Sequence, residues 1–344
     1  MDGSGRVRWG ILGDAEINAS LIPGAHAAPS AEVVGIASRR PGVAAQTAQR
    51  WNIPRSHDSY DALLEDEEID AVYIPLANHE HAEWTIRSAN AGKHVLCEKP
   101  LALTLEEVRG IQEAAERNGV QVAEAFMYRF TPRWHRAEEM VWDGSVGDPR
   151  IIRIGFAFYH DVSGYNIRFD PQAGGGIIWD MGCYAVNMAR MLLRAEPMSA
   201  FCAAHTYRGT AVETSIELIL RFADDRAAVG HCSFDYTNPH SEVEVVGTEG
   251  WISLPGTGFR REPETYILSH HYKDKDDEIY LRKAEPERQV FPWVDPYMLE
   301  VESLNESILH GRPLPYTLDD AYRNTQVLLA LYRSAHDGCE VPIE

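Results

Sequence analysis

Short apolar runs alternate with longer amphipathic stretches over the first 125 residues. The apolar runs, rich in β-branched residues, lie at residues 7–12, 32–37, 70–75, 94–97 and 120–123. Between them, helical periodicity predicts helices at residues 17–27, 43–51, 81–92 and 104–119. The last of these begins with Thr104 and Glu107, which have the spacing of a capping box, and ends at Gly119. Strands that alternate with helices of this length predict a doubly wound parallel sheet.

The pattern changes after about residue 126. A predicted helix at residues 132–142 precedes β-rich runs that turns, not helices, separate, at residues 150–158, 199–207, 212–222, 226–234, 242–246 and 250–254. Residues 256–290 are polar and predict a solvated loop, and helices are predicted at 295–310 and 317–336. The α/β chain therefore divides into a doubly wound domain at 1–125 and an α+β domain at 126–344. The second domain would carry a large, mostly antiparallel sheet with one face open to solvent or to a partner.

Composition narrows the functional classes. The 344 residues carry a net charge of −20, which argues against nucleic-acid and anionic-membrane partners. The five cysteines form no CxxC pair and predict reduced thiols, as in a reducing compartment. Without a signal-peptide pattern or an apolar stretch of about 18 residues, the expected location is the cytoplasm.

A glutamate and a lysine follow the fourth apolar run. The run His94–Cys97 stops before Pro100 and delivers Glu98 and Lys99 to the carboxyl end of a strand. Ligands bind at that end in open α/β sheets. A cation beside a carboxylate suits a site that holds or perturbs a proton, although a surface ion pair would have the same pattern.

A second candidate segment is glycine-rich. Residues 174–184 begin with three glycines and end in Asp180-Met-Gly-Cys-Tyr184. Asp180 and Tyr184 are four residues apart and would share one helix face. This arrangement favours a substrate grip with a proton donor or acceptor; the alternative is a loop followed by a core helix.

The first strand leads into a candidate dinucleotide turn. From Gly13 the sequence reads Gly-x-Ala15-x-x-Asn18, where the dinucleotide fingerprint has Gly-x-Gly-x-x-Gly/Ala. The order strand, turn, helix still offers free amides and a positive dipole end to phosphate. We therefore predict that Gly13, Ala15, Glu16 and Ile17 hold a pyrophosphate; an ordinary β–α turn is the alternative.

Nucleotide preference is predicted at the end of the second run. Enzymes that use NAD usually place an acid there for the ribose hydroxyls, but this chain has Ser38-Arg39-Arg40. Ser38 can donate to a 2′-phosphate, and Arg39 can pair with it and lie on the adenine face. These residues predict NADP rather than NAD, unless both arginines are only solvated.

Other residues complete the predicted site. Leu76, Asn78 and His81 follow the third run and are expected on the ribose or nicotinamide side, with Glu98 and Lys99 also near the cofactor. The histidine pairs 79/81 and 270/271 lack the partners and spacing of a zinc site, so no metal is predicted.

Five segments in order resemble the glucose–fructose oxidoreductase and inositol dehydrogenase (Gfo/Idh/MocA) family over nearly the full length. They are Trp9–Gly13, Tyr73–His81, Glu98–Pro100, Glu124–Arg129 and Gly174–Tyr184. The inositol dehydrogenase branch carries His at the position of Tyr184. Tyr184 resembles the branch with glucose–fructose oxidoreductase, NADP-dependent xylose dehydrogenase, dihydrodiol dehydrogenase and ketosugar reductases.

The resemblance implies a hydride-transfer mechanism. Tyr184 would be the acid–base group, and Lys99, brought near it across the domain cleft, would favour the phenolate of a side chain that titrates near pH ~10 when free. Asp180 would accept a hydrogen bond from a substrate hydroxyl, Glu98 would orient Lys99, and Arg168 would contact the substrate or the cofactor.

The resemblance also implies the substrate class and leaves alternatives open. Sugars and related polyols are the expected substrates, and the open sheet is expected to pair subunits as a homodimer or homotetramer. A glycoside-cleaving enzyme that keeps its nucleotide without net redox change, and a non-catalytic nucleotide sensor, are the other two classes.

Overall fold

The structure is a computed structural model that describes residues 5–207, 209–237, 241–256, 265–271 and 286–344. The chain forms two compact units. The first comprises Met1–Phe130 with Val294–Thr325, and the second comprises Thr131–Trp293 with Gln326–Glu344. Within the described ranges, no helix is both long and apolar enough to cross a membrane.

A six-stranded parallel sheet forms the centre of the first unit. Its strands are β1 (Val7–Leu12), β2 (Ala31–Ala37), β3 (Arg55–His57), β4 (Ala71–Ile74), β5 (His94–Glu98) and β6 (Val122–Ala125). Their order, β3-β2-β1-β4-β5-β6, is that of a Rossmann fold, with the crossover between β1 and β4. Helices connect the strands: α1 (Asn18–Ala27), α2 (Val43–Trp51), α3 (Tyr60–Leu64), α4 (Asn78–Asn90) and α5 (Leu105–Asn118).

Burial explains the continuous apolar runs of this sheet. Every residue of β1 and β4 is buried, as expected for strands covered by helices on both faces. The predicted capping box is confirmed at α5: Thr104 accepts from the Glu107 amide, and the Glu107 side chain accepts from the Thr104 amide. Gly119 closes that helix with a φ of +64°.

The second unit is built on a nine-stranded sheet. Its strands are β7 (Pro149–Ala157), β8 (Ser199–His205), β9 (Ser215–Arg221), β10 (Ala227–Ser233), β11 (Glu242–Gly247), β12 (Gly250–Pro255), β13 (Thr265–His271), β14 (Glu287–Phe291) and β15 (Val341–Pro342). They follow the order β14-β13-β12-β11-β7-β10-β9-β8-β15, with β7 and β10 parallel and the other pairs antiparallel.

The remaining helices are α6 (Pro132–Trp142), α7 (Cys183–Leu193), α8 (Pro296–His310) and α9 (Leu318–Asp337). Helix α8 belongs to the first unit, and α9 contributes its beginning to the first unit and the rest to the second. The predicted fold class, a Rossmann sheet followed by an α+β domain with a large, mostly antiparallel sheet, is confirmed.

Three local predictions need correction. The short strand β3 was not predicted, because Arg55-Ser-His57 has no apolar run. Strand β6 begins two residues later than residue 120. Within the predicted loop 256–290, residues 265–271 form β13 and residues 287–290 belong to β14. Strand β14 is mostly exposed, so its polar sequence resembles that of a loop. Residues 257–264 and 272–285 lie outside the described residues.

Candidate active site

A tight turn joins β1 to α1. Gly13 has a φ of +122°, and its amide donates to the carbonyl of Ala37 at the end of β2, at 3.0 Å. A Cβ at Gly13 would lie 2.9 Å from Cδ2 of Leu76 and 3.4 Å from Oη of Tyr60. Glycine is required here mainly by the backbone, because a φ of +122° is rarely adopted by a residue with a side chain.

The departure from the usual glycine fingerprint has a structural explanation. Asn18, at the position of the third glycine, is buried, and its Nδ2 donates to the carbonyl of Gly13 at 2.9 Å. Ile17, the residue before α1, has no polar side chain to cap the helix. The amides of Asn18, Ala19 and Ser20 donate to carbonyls of this turn, so the positive dipole end of α1 is what suits an anion beside the predicted residues Gly13, Ala15, Glu16 and Ile17. These residues fit the pyrophosphate of a dinucleotide.

The end of β2 presents two arginines, each with a carboxylate partner. Nη1 of Arg39 lies 2.6 Å from Oε1 of Glu80, and its guanidinium lies 4.9 Å from the centroid of the Tyr60 ring. Nη2 of Arg40 lies 2.8 Å from Oδ2 of Asp14. Both arginines are exposed yet paired, so neither is only solvated. Ser38 is buried, and its Oγ accepts from the amide of Arg40 at 3.2 Å.

The structure encloses His81 within the protein. The side chain is fully buried, with Nδ1 2.7 Å from the carbonyl oxygen of Pro100 and Nε2 2.9 Å from that of Leu76. Burial lowers the pKa of His81, while the two carbonyls oppose that shift. His81 therefore links the segments after β4 and β5 instead of presenting a nitrogen at the surface. Asn78, which begins α4, is half-buried.

Buried groups hold the predicted Glu98–Lys99 segment. Both residues are half-buried at the end of β5. The hydroxyl of Tyr73 donates to Oε1 of Glu98 at 2.6 Å. Burial raises the pKa of Tyr73 well above its usual value, and the negative charge of Glu98 adds to that shift, so Tyr73 remains a donor. On the other side, Oε1 of Glu124 accepts from the amide of Leu101 at 2.9 Å.

Sequence reasoning missed Glu300, a carboxylate buried in α8. It is 1% exposed, and neither oxygen meets a hydrogen-bond donor within the described part of the chain. Burial raises the pKa of Glu300 well above its usual range, and the charge of Glu98 raises it further. The helical spacing could have predicted this burial, because Glu300 shares a helix face with Tyr297 and Leu304, which are both buried.

The glycine-rich segment of the second unit is a close-packed loop. Gly174 and Gly176 have φ values of +75° and +118°. A Cβ at Gly175 would lie 2.7 Å from the carbonyl oxygens of Ile167 and Arg168. The glycines therefore let the loop pack directly on the backbone at residues 167–170.

The loop leads into a π-helical turn, which corrects the prediction of one uniform helix. Residues Ile178–Gly182 form the π turn, and α7 begins at Cys183. Asp180 lies in the π turn and Tyr184 in the first turn of α7, where it is buried. Such π turns are rare in proteins as a whole, and many of those that occur lie at functional sites.

Two predicted substrate residues meet in the second unit. Nε of Arg168 donates to Oδ2 of Asp180 at 3.2 Å, and the carboxylate side chain is 16% exposed. The guanidinium therefore holds one carboxylate oxygen of Asp180, and part of the carboxylate stays accessible.

Sequence reasoning also missed Glu213, which precedes β9. Its carbonyl accepts from the amide of Ile177 at 3.0 Å, and its Oε1 accepts from the amide of Ile178 at 3.2 Å and from the hydroxyl of Tyr332 at 2.7 Å. Burial raises the pKa of Glu213. Glu213 thus caps the π turn from a distant segment. No local sequence pattern marks this role.

The fold and the β1–α1 turn define a NAD(P)-binding oxidoreductase. Residues 7–126 match the model of an oxidoreductase family with an NAD-binding Rossmann fold. Residues 134–253 match the model of the GFO/IDH/MocA C-terminal domain. This chain belongs to the GFO/IDH/MocA family of oxidoreductases, which confirms the resemblance seen in its motifs.

Two curated relatives and one solved structure are similar over nearly their whole lengths. An uncharacterized oxidoreductase of Rhizobium meliloti is 38% identical over 333 residues, 96% of this chain and 98% of the relative. The D-xylose 1-dehydrogenase (NADP(+)) 2 of Haloferax volcanii is 32% identical over 336 residues, 98% of this chain and 99% of the relative. A 3-ketoreductase from Actinomadura kijaniata, solved with NADP and TDP-benzene, has a TM-score of 0.85 at 25% identity, covering 96% and 98% of the two chains.

Proposed function

We propose that this enzyme is an NADP(H)-dependent oxidoreductase that moves a hydride to or from a carbon of a sugar or related polyol. The observation that carries the proposal is the segment 174–184, which presents the partly accessible carboxylate of Asp180 one turn before Tyr184. The relatives named above that act on xylose and on a keto group support the substrate class. Aldose oxidation and ketosugar reduction remain equally compatible with these residues.

The cofactor would be held by residues of the first unit. The tight turn at Gly13 and the positive dipole end of α1 fit a pyrophosphate, and Ser38, Arg39 and Arg40 fit a 2′-phosphate. Leu76, which packs against this turn, and Asn78 would border the ribose or nicotinamide side. A nicotinamide cofactor held by these residues would supply the hydride acceptor for oxidation of an alcohol carbon and the hydride donor for reduction of a carbonyl carbon.

In this proposal Tyr184 moves the proton. During oxidation its phenolate takes the substrate hydroxyl proton as the C–H electron pair leaves; in reduction Tyr184 protonates the oxygen. Because a free Tyr titrates near pH ~10, Lys99 would act by favouring the phenolate. Glu98, fixed by Tyr73, would orient Lys99, and Asp180, fixed by Arg168, would accept a second hydroxyl.

A substrate panel tests the proposal and separates its alternatives. Sugars and ketosugars are supplied with NADP⁺ or NADPH, and the nicotinamide absorbance and the product are both quantified. We expect one cofactor converted per product for at least one sugar. Product without net cofactor change would indicate the glycoside-cleaving class, and binding without turnover of any sugar would indicate a sensor.

The nucleotide preference is tested with Arg39→Ala. We expect kcat/KM for NADPH to fall by about tenfold or more while that for NADH changes little, because only the 2′-phosphate needs the guanidinium. Arg50→Ala is the matched control, since Arg50 is an exposed arginine that stacks on Trp51 in α2. An Arg39→Ala enzyme that keeps its NADPH/NADH ratio would contradict the assignment.

A further inference from the structure

The fold brings a carboxylate to the end of β2, where the local sequence contains no acidic residue. The end of β2 reads Ser38-Arg39-Arg40 without a carboxylate, yet Glu80 of α4 reaches Arg39 from 41 positions along the chain. The contact is a two-pronged ion pair, with Nη1 to Oε1 at 2.6 Å and Nη2 to Oε2 at 2.9 Å. Glu80 is the more buried partner: its side chain is 14% exposed, against 55% for Arg39.

This ion pair lies beside the dinucleotide turn. The guanidinium of Arg39 is 4.9 Å from the centroid of the Tyr60 ring, and Oη of Tyr60 borders the space that a Cβ on Gly13 would fill. Arg39, Tyr60 and Glu80 therefore cluster at the carboxyl ends of β1, β2 and β4. In a sheet of this order, the adenosine ribose of a dinucleotide lies at this edge.

The two members of the ion pair favour different nucleotides. A guanidinium recognises a 2′-phosphate by donating two parallel hydrogen bonds, but Glu80 already accepts from both terminal nitrogens of Arg39. A carboxylate at that distance also repels a phosphate dianion. For a nucleotide with a free 2′-hydroxyl, the same carboxylate can accept a hydrogen bond from that hydroxyl, as the acid at the end of β2 does in NAD enzymes.

The second arginine does not restore a positive site. Arg40 pairs with Asp14 at 2.8 Å, and Oδ1 of Asp14 accepts from the hydroxyl of Thr47 at 3.0 Å. The two guanidiniums thus face two carboxylates before any ligand arrives. A 2′-phosphate that takes the two-pronged contact on the terminal nitrogens of Arg39 competes directly with Glu80 for them.

We propose that Glu80 is a specificity-determining residue that restrains the preference of the site for NADP and lets it accept NAD. The proposal rests on the proposed role of Arg39 and goes beyond it. Glu80 acts as an internal competitor for the guanidinium, so its removal should strengthen binding of the 2′-phosphate and leave the rest of the nucleotide unaffected.

The test uses Glu80→Gln and two adenosine fragments. Adenosine 2′,5′-bisphosphate carries the 2′-phosphate, and adenosine 5′-monophosphate does not. By calorimetry, we expect the Kd of the bisphosphate to fall by about five- to tenfold in Glu80→Gln. This gain in affinity over the unaltered enzyme should be smaller at high salt. The Kd of the monophosphate should stay the same or rise. Glu83→Gln is the matched control, because Glu83 lies on the same helix and pairs with Arg87 at 3.2 Å.

The outcomes separate this inference from the proposed function. An unchanged bisphosphate Kd in Glu80→Gln would overturn the inference, as would an equal gain in Glu83→Gln. If Arg39→Ala binds the bisphosphate as well as the unaltered enzyme, the assignment of the 2′-phosphate site fails instead. Melting temperatures of all variants show that each is folded, so that every Kd refers to the native protein.

Discussion

At the scale of single residues, the carboxylates of this enzyme have very different surroundings. Glu98 accepts a hydrogen bond from Tyr73, whereas Glu300 is fully buried and meets no donor within the described residues. A buried carboxylate without a partner strongly favours its neutral form. Glu300 therefore links the stability of the first unit to pH.

The sign of that linkage follows from the raised pKa of Glu300. The folded state holds the proton more tightly than the unfolded state, so the contribution to stability is full below the unfolded pKa, about 4.3, and is lost as pH rises through the folded pKa. Glu300→Gln removes this titration. We expect the difference in melting temperature, variant minus unaltered protein, to increase from about pH 5 to pH 9.

Thermal denaturation at several pH values checks this expectation. Glu113→Gln, an exposed glutamate on α5, is the control. A difference between Glu300→Gln and the unaltered protein that stays constant with pH would show that Glu300 does not titrate differently in the folded state.

Gly176 is a second single-residue test. Its φ of +118° disfavours any side chain, and a Cβ would lie 2.3 Å from Oε1 of Glu213. Gly176→Ala should therefore cost about 1–3 kcal/mol of unfolding free energy and reduce turnover. Gly164→Ala is the control, since a Cβ there meets nothing within 4 Å. Equal denaturation midpoints for the two variants would contradict this account.

At the scale of secondary-structure elements, the proposed mechanism depends most on the π turn Ile178–Gly182. It carries Asp180 and leads directly to Tyr184. Glu213 caps its first amides, and Tyr332 holds the Glu213 carboxylate while its ring packs against Trp179 at 5.3 Å. The geometry of the substrate residues is thus set from outside their own segment.

Removal of this cap should affect positioning more than cofactor binding. Glu213→Ala is expected to lose about 1–2 kcal/mol of unfolding free energy, the usual value of a lost helix cap, and to raise KM for the sugar with little change in Kd for NADP⁺. Glu213→Gln keeps an acceptor for the Ile178 amide, so its KM for the sugar should stay close to that of the unaltered enzyme. If Gln and Ala behave alike in KM, Glu213 has only a packing role.

Local sequence signals predicted those elements that depend on nearby residues. The capping box of α5 and the buried strands β1 and β4 were predicted because a few adjacent side chains decide them. The π turn was not, because Ile-Ile-Trp-Asp-Met reads as an ordinary helix start and its cap, Glu213, lies 35 residues away. Strand β14 was missed because an exposed edge strand has no apolar alternation.

At the scale of the whole molecule, the residues of the proposed mechanism are divided between two units. The first supplies the dinucleotide turn and the Glu98–Lys99 segment; the second supplies Arg168, Asp180 and Tyr184. The motifs identified the family, because their order along the chain is a property of the sequence. They could not reveal the contacts of Glu80 and Glu213, since the topology brings each of these to partners that are distant in the sequence.

The central claim is that Tyr184 exchanges the proton in a hydride transfer to or from a sugar. The most direct measurement is single-turnover reduction of NADP⁺ by the best sugar of the panel, in the unaltered enzyme and in Tyr184→Phe, with Kd for NADP⁺ measured on both. General acid–base groups contribute about 10²–10⁴-fold, so the rate should fall by at least about a hundredfold with Kd unchanged. A Tyr184→Phe enzyme that transfers hydride at a near-normal rate would contradict the account.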